Sequence, residues 1–360
     1  MMELVERGYL NIFKDREGFR YGLRLGNPTD ASSIMNAYIE IFGFEYTDSV
    51  VYDQEKLAED IAKKNTFWFI GECLEADEPD FCGGGAIDID DPVTSHMSKV
   101  VIRPKYQRRG LASEMGIKGI FKIFQFPEFK NVLRMNAGCR ASNKYTQLTM
   151  RNQGSKPYGF NPICVNLGDR RWINKKEEKP YLKGDSVPII YYIRTLNDFW
   201  KQRENVIHLY DNEDILYFYD FQTKINRYAK KNDLLITTKN SKNKMHFIEL
   251  KQDYNLGAIN IKGYIHNILL KMYITKFKKW RYIEWRIPTT EEGIHSMKIA
   301  LEFGFKVIGY DMGSFISLGG TVHDTVLFAY FPKKVKLNPK EPLNIIKKVS
   351  PIVDKVLEII

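Results

Sequence analysis

Arg103, Lys105, Arg108 and Arg109 crowd the few positions ahead of Gly110-Leu111-Ala112. Cations placed next to small residues can hold an anion, provided a helix starts there. The flanking sequence predicts one. Val100-Val101-Ile102 is a β-branched run that reads as a buried strand. Pro104 cannot donate to a ladder and ends it. From Gly110 onward, Leu111, Met115, Ile117, Ile120, Phe121 and Phe124 fall close to helical spacing. A helix N-terminus offers unpaired N–H groups and a partial positive charge, and Gly and Ala let a phosphate come close to them. The four cations would add mobile positive charge around that point.

Gln107-Arg108-Arg109-Gly110-Leu111-Ala112 resembles the Gln/Arg-x-x-Gly-x-Gly/Ala signature of the GNAT superfamily of N-acetyltransferases. Ile102-Arg103-Pro104-Lys105-Tyr106 likewise resembles the end of that family's fourth strand. The resemblance implies acetyl-CoA (coenzyme A) as cofactor and acetyl transfer to an amine as the reaction. It implies that Gln107, Arg108, Arg109, Gly110, Leu111 and Ala112 hold the pyrophosphate. Backbone N–H groups from Lys99 through Val100, Val101 and Ile102 would bind the pantetheine and the thioester carbonyl. Asn143, at the start of a later helix, would touch the cofactor arm.

An attacking amine must be neutral, which asks for a base, often through water. His96, just ahead of the fourth strand, has the right ordinary pKa. Glu72 ends an aromatic strand at 66–73, and Asp88 and Asp90 end a glycine-rich one. Many family members carry a Tyr seven residues after the Asn as proton donor for the thiolate. Here that position is Met150, which leaves Tyr145 on the same helix as the nearby phenol.

These groups need a scaffold. The pattern predicts a strand at 21–25, a capped turn at 26–30, and helices at 31–42 and 54–64. Strands follow at 66–73, 82–89 and 100–102, then the helix from Gly110, a strand at 132–139, a helix at 143–153 closed by Gly154, and a strand at 188–194. This β-α-α-β-β-β-α-β-α-β order is that of a complete GNAT domain. The segment 166–183, with Trp172 and Tyr181, reads as a surface loop, and 196–232 as a linking region.

A second series repeats the end of the first. Strands at 234–238, 245–250, 257–261 and 282–287 alternate with helices at 264–278 and 291–303, and strands begin at 304 and 325. Gly154-Ser155-Lys156-Pro157-Tyr158-Gly159 parallels Gly304-Phe305-Lys306-Val307-Ile308-Gly309. Where the first series has its signature, the second has Lys262-Gly263-Tyr264-Ile265-His266, with no basic turn. The expected fold is α/β (α+β), two tandem GNAT-like lobes of mixed β-sheet flanked by helices. Residues 1–200 form the cofactor-binding lobe, 201–335 a degenerate lobe, and 336–360 a helical tail docked on the second lobe or on a second copy.

At 360 residues and net charge +10, the chain has room for two cores and suits anionic partners. The acceptor expected is an amine of a small molecule or protein, in a monomer or homodimer. Two rivals remain: acyl or aminoacyl transfer from an RNA-linked donor, and a non-catalytic acetyl-CoA sensor. For the first, Trp280, Tyr282 and Trp285 beside Lys276, Lys278, Lys279 and Arg281 would stack on bases; nucleic acid is not the favoured partner. No apolar run of about 18 residues is present to span a membrane, and the first residues form no signal core. Cys73, Cys82, Cys139 and Cys164 lack metal spacing and read as half-buried thiols of a cytoplasmic protein.

Overall fold

The computed structural model describes residues 8–15, 17–75, 79–170, 180–241 and 246–360. Trp172 lies outside them. A hairpin of β1 (Asn11–Lys14) and β2 (Arg20–Leu25) opens the chain. Pro28 and the reciprocal cap between Asn27 and Asp30 then turn it into α1 (Ala31–Phe42). After α2 (Gln54–Ile61) come β3 (Thr66–Cys73), β4 (Asp80–Asp91) and β5 (Thr94–Ile102), an antiparallel meander. A helical stretch over 111–123, α3, follows. Then come β6 (Arg134–Arg140), α4 (Lys144–Asn152), β7 (Lys156–Asn166) and β8 (Ser186–Thr195).

The linking region holds more than helices. It contains β9 (Val206–Tyr210), α5 (Glu213–Ile225) and α6 (Arg227–Asn232), and β9 pairs with β10 (Leu234–Thr238) as a parallel two-stranded sheet. Then follow β11 (Phe247–Asp253), β12 (Ala258–Tyr264), α7 (Asn267–Lys276), β13 (Tyr282–Pro288), α8 (Glu291–Glu302), β14 (Lys306–Ile316), β15 (Val322–Tyr330) and α9 (Ser350–Ile359).

Thirteen strands form one mixed sheet, in the order β1-β2-β3-β4-β5-β6-β8-β7-β14-β15-β13-β12-β11. The two halves of that order resemble each other. β4-β5-β6-β8-β7 and β11-β12-β13-β15-β14 have the same order, and in each the second and third strands are the parallel pair. The halves join through β7 and β14, where Gly159 pairs with Gly309, the two residues matched in the repeat. A Cβ on Gly309 would stand 2.5 Å from the Tyr158 carbonyl oxygen, so only glycine lets these strands approach. Two lobes thus share a single sheet.

Polar groups stitch the same seam. Arg134 of β6 is fully buried and donates to Asp311 and to the Met312 carbonyl, both on β14. Asp311 also accepts from Arg286 of β13, which pairs with Glu284, and Glu284 accepts from the Tyr191 hydroxyl at 2.8 Å. Removing one partner of a buried ion pair leaves the other charge uncompensated. Asp311→Ala is expected to destabilise the chain by about 3–5 kcal/mol, read as a lowered midpoint of urea unfolding. A midpoint within error of wild type would show that the seam does not depend on these charges.

The tail departs from its expected seat. Val349, Ile352, Val353 and Val356 are fully buried, and α9 lies over both β7 and β14 rather than on the second lobe alone. The four cysteines are free and all buried, deeper than the half-burial expected.

Candidate functional site

The loop between β5 and α3 has the backbone of an anion cradle. Gln107 folds its side-chain amide onto the Ile102 carbonyl at 2.9 Å, which fixes the loop to the strand end. Arg108 and Gly110 both take positive φ, at 65° and 85°. The Gln107 amide donates to Pro104 and the Ser113 amide to Gly110. Between them, the amides of Arg108, Arg109, Gly110, Leu111 and Ala112 have no backbone acceptor among the described residues. Successive unpaired amides at a helix start form a concave nest for an anion. A Cβ on Gly110 would meet nothing within 4 Å, so the space over the nest is open.

The side chains are less mobile than their sequence suggests. Arg103 is bound to Glu40 at 2.7 Å and to Asp80 at 3.1 Å, and Lys105 shares Asp80. Arg109 turns back to the first hairpin, 3.2 Å from Glu17 and over the Phe19 ring. Of the four cations, Arg108 has no carboxylate partner among the described residues. The nest therefore rests chiefly on backbone N–H groups.

β5 is longer than the run 100–102, and Val100 is 40% exposed rather than buried. Its pairing with β6 covers Thr94 to Met97 only. Beyond Met97 the strands part, leaving the β6-facing edge of β5 open from Ser98 through Val100, Val101 and Ile102. On its other edge β5 bulges, with Lys99 and Val100 together opposite Gly85. Lys99 takes φ 57° there, and the Tyr38 hydroxyl donates to its carbonyl. Among the described residues only three non-glycines have positive φ, and Lys99 and Arg108 are two of them. Such strain persists where the surroundings impose it, commonly at functional sites.

His96 lies inside β5 rather than ahead of it, paired with Asp88 of β4 and Asn136 of β6. Burial lowers its pKa to about 4, with Lys99, Arg286 and Lys251 acting the same way and Asp88 opposing. The ring is neutral at pH 7. Asp90, solvent-exposed on the same face of β4, is pushed up to about 6 by partial desolvation and by Asp88 and Asp91.

Glu72 has a different role from the expected one. Its oxygens accept from Arg24 and from the Tyr9 hydroxyl, each at 2.6 Å, so both are occupied. Thr66, which pairs with Asp88, lies six residues from Glu72 along β3, about 20 Å at strand spacing. Glu72 and His96 are not brought together. Tyr145 is neither packed nor enclosed: it is 65% exposed in the first turn of α4. Asn143 caps that helix, its Oδ1 accepting from Tyr145 and Thr146 N–H, which leaves its amide NH₂ as the group free for a ligand. Asp90 was legible in sequence only as a strand end; its raised pKa comes first from desolvation and then from Asp88 and Asp91 meeting it at one hairpin.

The second lobe keeps the parting strands but not the nest. β12 and β13 pair from Ala258 to Lys262 and then separate. At that point a cavity of about 450 Å³ is lined by Tyr264, Thr289, Phe315 and the carboxylates of Glu204, Glu291 and Glu292. Carboxylates repel a pyrophosphate. Trp280, Tyr282 and Trp285 are buried, at 7%, 2% and 0% exposure, so they cannot stack on RNA bases. Among the described residues no His, Cys, Asp or Glu cluster fits a metal ion, and no helix is long and apolar enough to cross a membrane.

No protein-family model and no curated protein matches this sequence. Several solved structures are similar. One is a ribosomal-protein-S5-alanine acetyltransferase from Vibrio fischeri, 14% identical, with 52% of this chain and 98% of that one covered at TM-score 0.39. Another is a spermidine N-acetyltransferase from Vibrio cholerae in complex with CoA and spermine, 15% identical, 49% and 95% covered, TM-score 0.36. A GNAT-family acetyltransferase from Bacillus anthracis is 18% identical, 51% and 98% covered, TM-score 0.36. Over about half its length, this chain is similar to N-acetyltransferases of the GNAT family.

Proposed function

We propose that the first lobe is an acetyl-CoA-dependent N-acetyltransferase acting on an amine, and that the second lobe holds no cofactor. We take the first lobe as residues 1–200, the second as 201–335 and the tail as 336–360. The run of unpaired amides from Arg108 to Ala112 carries the reading, because it suits a pyrophosphate and lies beside the open edge of β5. The pyrophosphate would sit on those amides with Arg108 alongside. The acetylated arm would run between the parted β5 and β6, its carbonyl oxygen accepting from β5 N–H groups. Held there, the thioester is both oriented and polarised.

When bound, acetyl-CoA would supply the acetyl group: the amine would attack its carbonyl carbon, with the C–N bond forming as the C–S bond breaks and the thiolate departs. The amine's proton passes to the His96 imidazole, directly or through water. The thiolate takes its proton from solvent, since Met150 is not a donor and Tyr145 faces outward. A non-catalytic sensor would use the same nest, so turnover separates the two.

Calorimetry is expected to give one CoA per chain. In turnover with pooled amines, kcat/KM should rise with pH through a limb near 4, the range in which His96 loses its proton, and stay flat to neutrality. His96→Gln should lower it by about 10²–10⁴-fold, the usual worth of a positioned base. A limb near 6 that vanishes in Asp90→Asn would move the base to Asp90. Two equivalent CoA sites would overturn the single-cofactor assignment.

A further inference from the structure

The lobe without a nest still contributes charge to the acceptor side of the first. In β12, Ile259 and Ile261 are buried on the face that α8 packs against, so the pleat sends Asn260 and Lys262 to the opposite face. Register places Arg286 beside Lys262 on one flank, and Glu249 on the other; Lys251 stands beside Asn260. A continuous set of contacts leads from there to the candidate base. Arg286 binds Asp311, Asp311 binds Arg134, Arg134 donates to Asn136, and Asn136 pairs with His96. The polar strand face of the second lobe is thereby tied to the His96 strand of the first, and Lys251 and Arg286 lie near enough to act on His96 electrostatically.

Several charges gathered there are not matched by contact. Lys251, Lys262 and Asp90 have no oppositely charged group within 4.0 Å among the described residues, whereas Arg286 is held by Asp311 and Glu284. Asp90 nevertheless feels both lysines, and His96 feels Lys251. Burial lowers Lys262, with Arg286 and Arg134 adding to it against Asp91 and Glu249. Lys262 is half-buried and Lys251 exposed; a half-buried ammonium without a contacting counter-ion is costly, and an anionic ligand beside Lys262 removes that cost. A base with unpaired cations close by suits a molecule charged at both ends.

We infer that the acceptor is an amine that also bears an anionic group, with its amino end at His96 and its anion between Lys251 and Lys262 of the second lobe. This rests on the acetyl-transfer reading of the first lobe. The second lobe then serves to read the far end of the acceptor.

Release of CoA by the full chain, measured with alanine against ethylamine and with phosphoethanolamine against ethanolamine, tests this. The anionic member of at least one pair should have kcat/KM at least tenfold higher, through KM. Which pair shows it tells a carboxylate from a phosphate. The advantage should fall below threefold in Lys251→Met/Lys262→Met, with CoA binding unchanged. Equal rates within both pairs, no turnover by a chain that binds acetyl-CoA, or an advantage that survives the double variant would each overturn it. So would a double variant with a lower melting temperature and an unmoved KM ratio, since the lysines would then only balance the neighbouring acids. Wild-type protein that fails to bind acetyl-CoA would fell the acetyl-transfer reading, and this inference with it.

Discussion

Gly110→Glu is expected to abolish CoA binding while the protein stays folded. Two effects act at this position and can be separated. Gly110 sits at φ 85°, where any L side chain is strained, by about 1–2 kcal/mol. Its Cβ direction is open, so the strain is the whole cost to folding. Gly110→Ala should show that cost alone, as a small loss of melting temperature with CoA still bound. Gly110→Glu adds a carboxylate over the five unpaired amides, where it can occupy the nest itself and repels a phosphate. Affinity should fall more than 100-fold, about 3 kcal/mol at tenfold per 1.4 kcal/mol. Calorimetry on a variant with native circular dichroism decides it. Wild-type affinity in that variant would remove the nest from the cofactor site.

Ending the chain at Pro339 is expected to cost the most stability. The lost segment is pinned at several points. Asn344 N–H donates to Ala141, Gln147 bonds to both Asn344 and Ile346, and Lys355 meets Asp214 at 2.8 Å. Val349, Ile352, Val353 and Val356 lose all solvent contact, worth about 1.5–3 kcal/mol apiece before the cost of ordering the tail. Deletion uncovers β7 and β14 where the lobes join, and the net loss should be several kcal/mol, lowering the melting temperature by roughly 10 °C or more. Because α9 docks on its own chain, sedimentation should report the same number of chains before and after. An unchanged melting temperature would show that the tail does not hold the seam, and a drop from two chains to one would place it between copies.

Much of this was written locally. Helix α1 spans the residues predicted for it, because Asn27, Pro28 and Asp30 cap the short turn that leads into it and Ile34, Ala37 and Tyr38 make one face. The turn from Arg108 to Gly110 into a helix was legible because Gly110 and its neighbours act through the backbone, which depends on local conformation. The matched glycines were legible too, since Gly159 and Gly309 meet where only glycine fits. β7 was not read as a strand: Pro157 and Pro162 interrupt it, and its pairing slips between Asn161 and Val165. Without β7 the seam could not be foreseen, nor that two lobes share one sheet.

Side-chain roles were decided by distant partners. Arg109 and Arg103 look like phosphate ligands until Glu17, Glu40 and Asp80 are brought to them. Glu72 looks like a base until Arg24 and Tyr9 take its oxygens. Trp280, Tyr282 and Trp285 look like a stacking surface until packing buries them. The sequence by itself determined backbone conformation, because a turn or a cap is settled within a few residues. Only the tertiary structure decided which charges are spent on each other and which, like Arg108 and Lys262, have no oppositely charged partner within 4.0 Å among the described residues. Coulombic partners lie close in space and far apart in the chain.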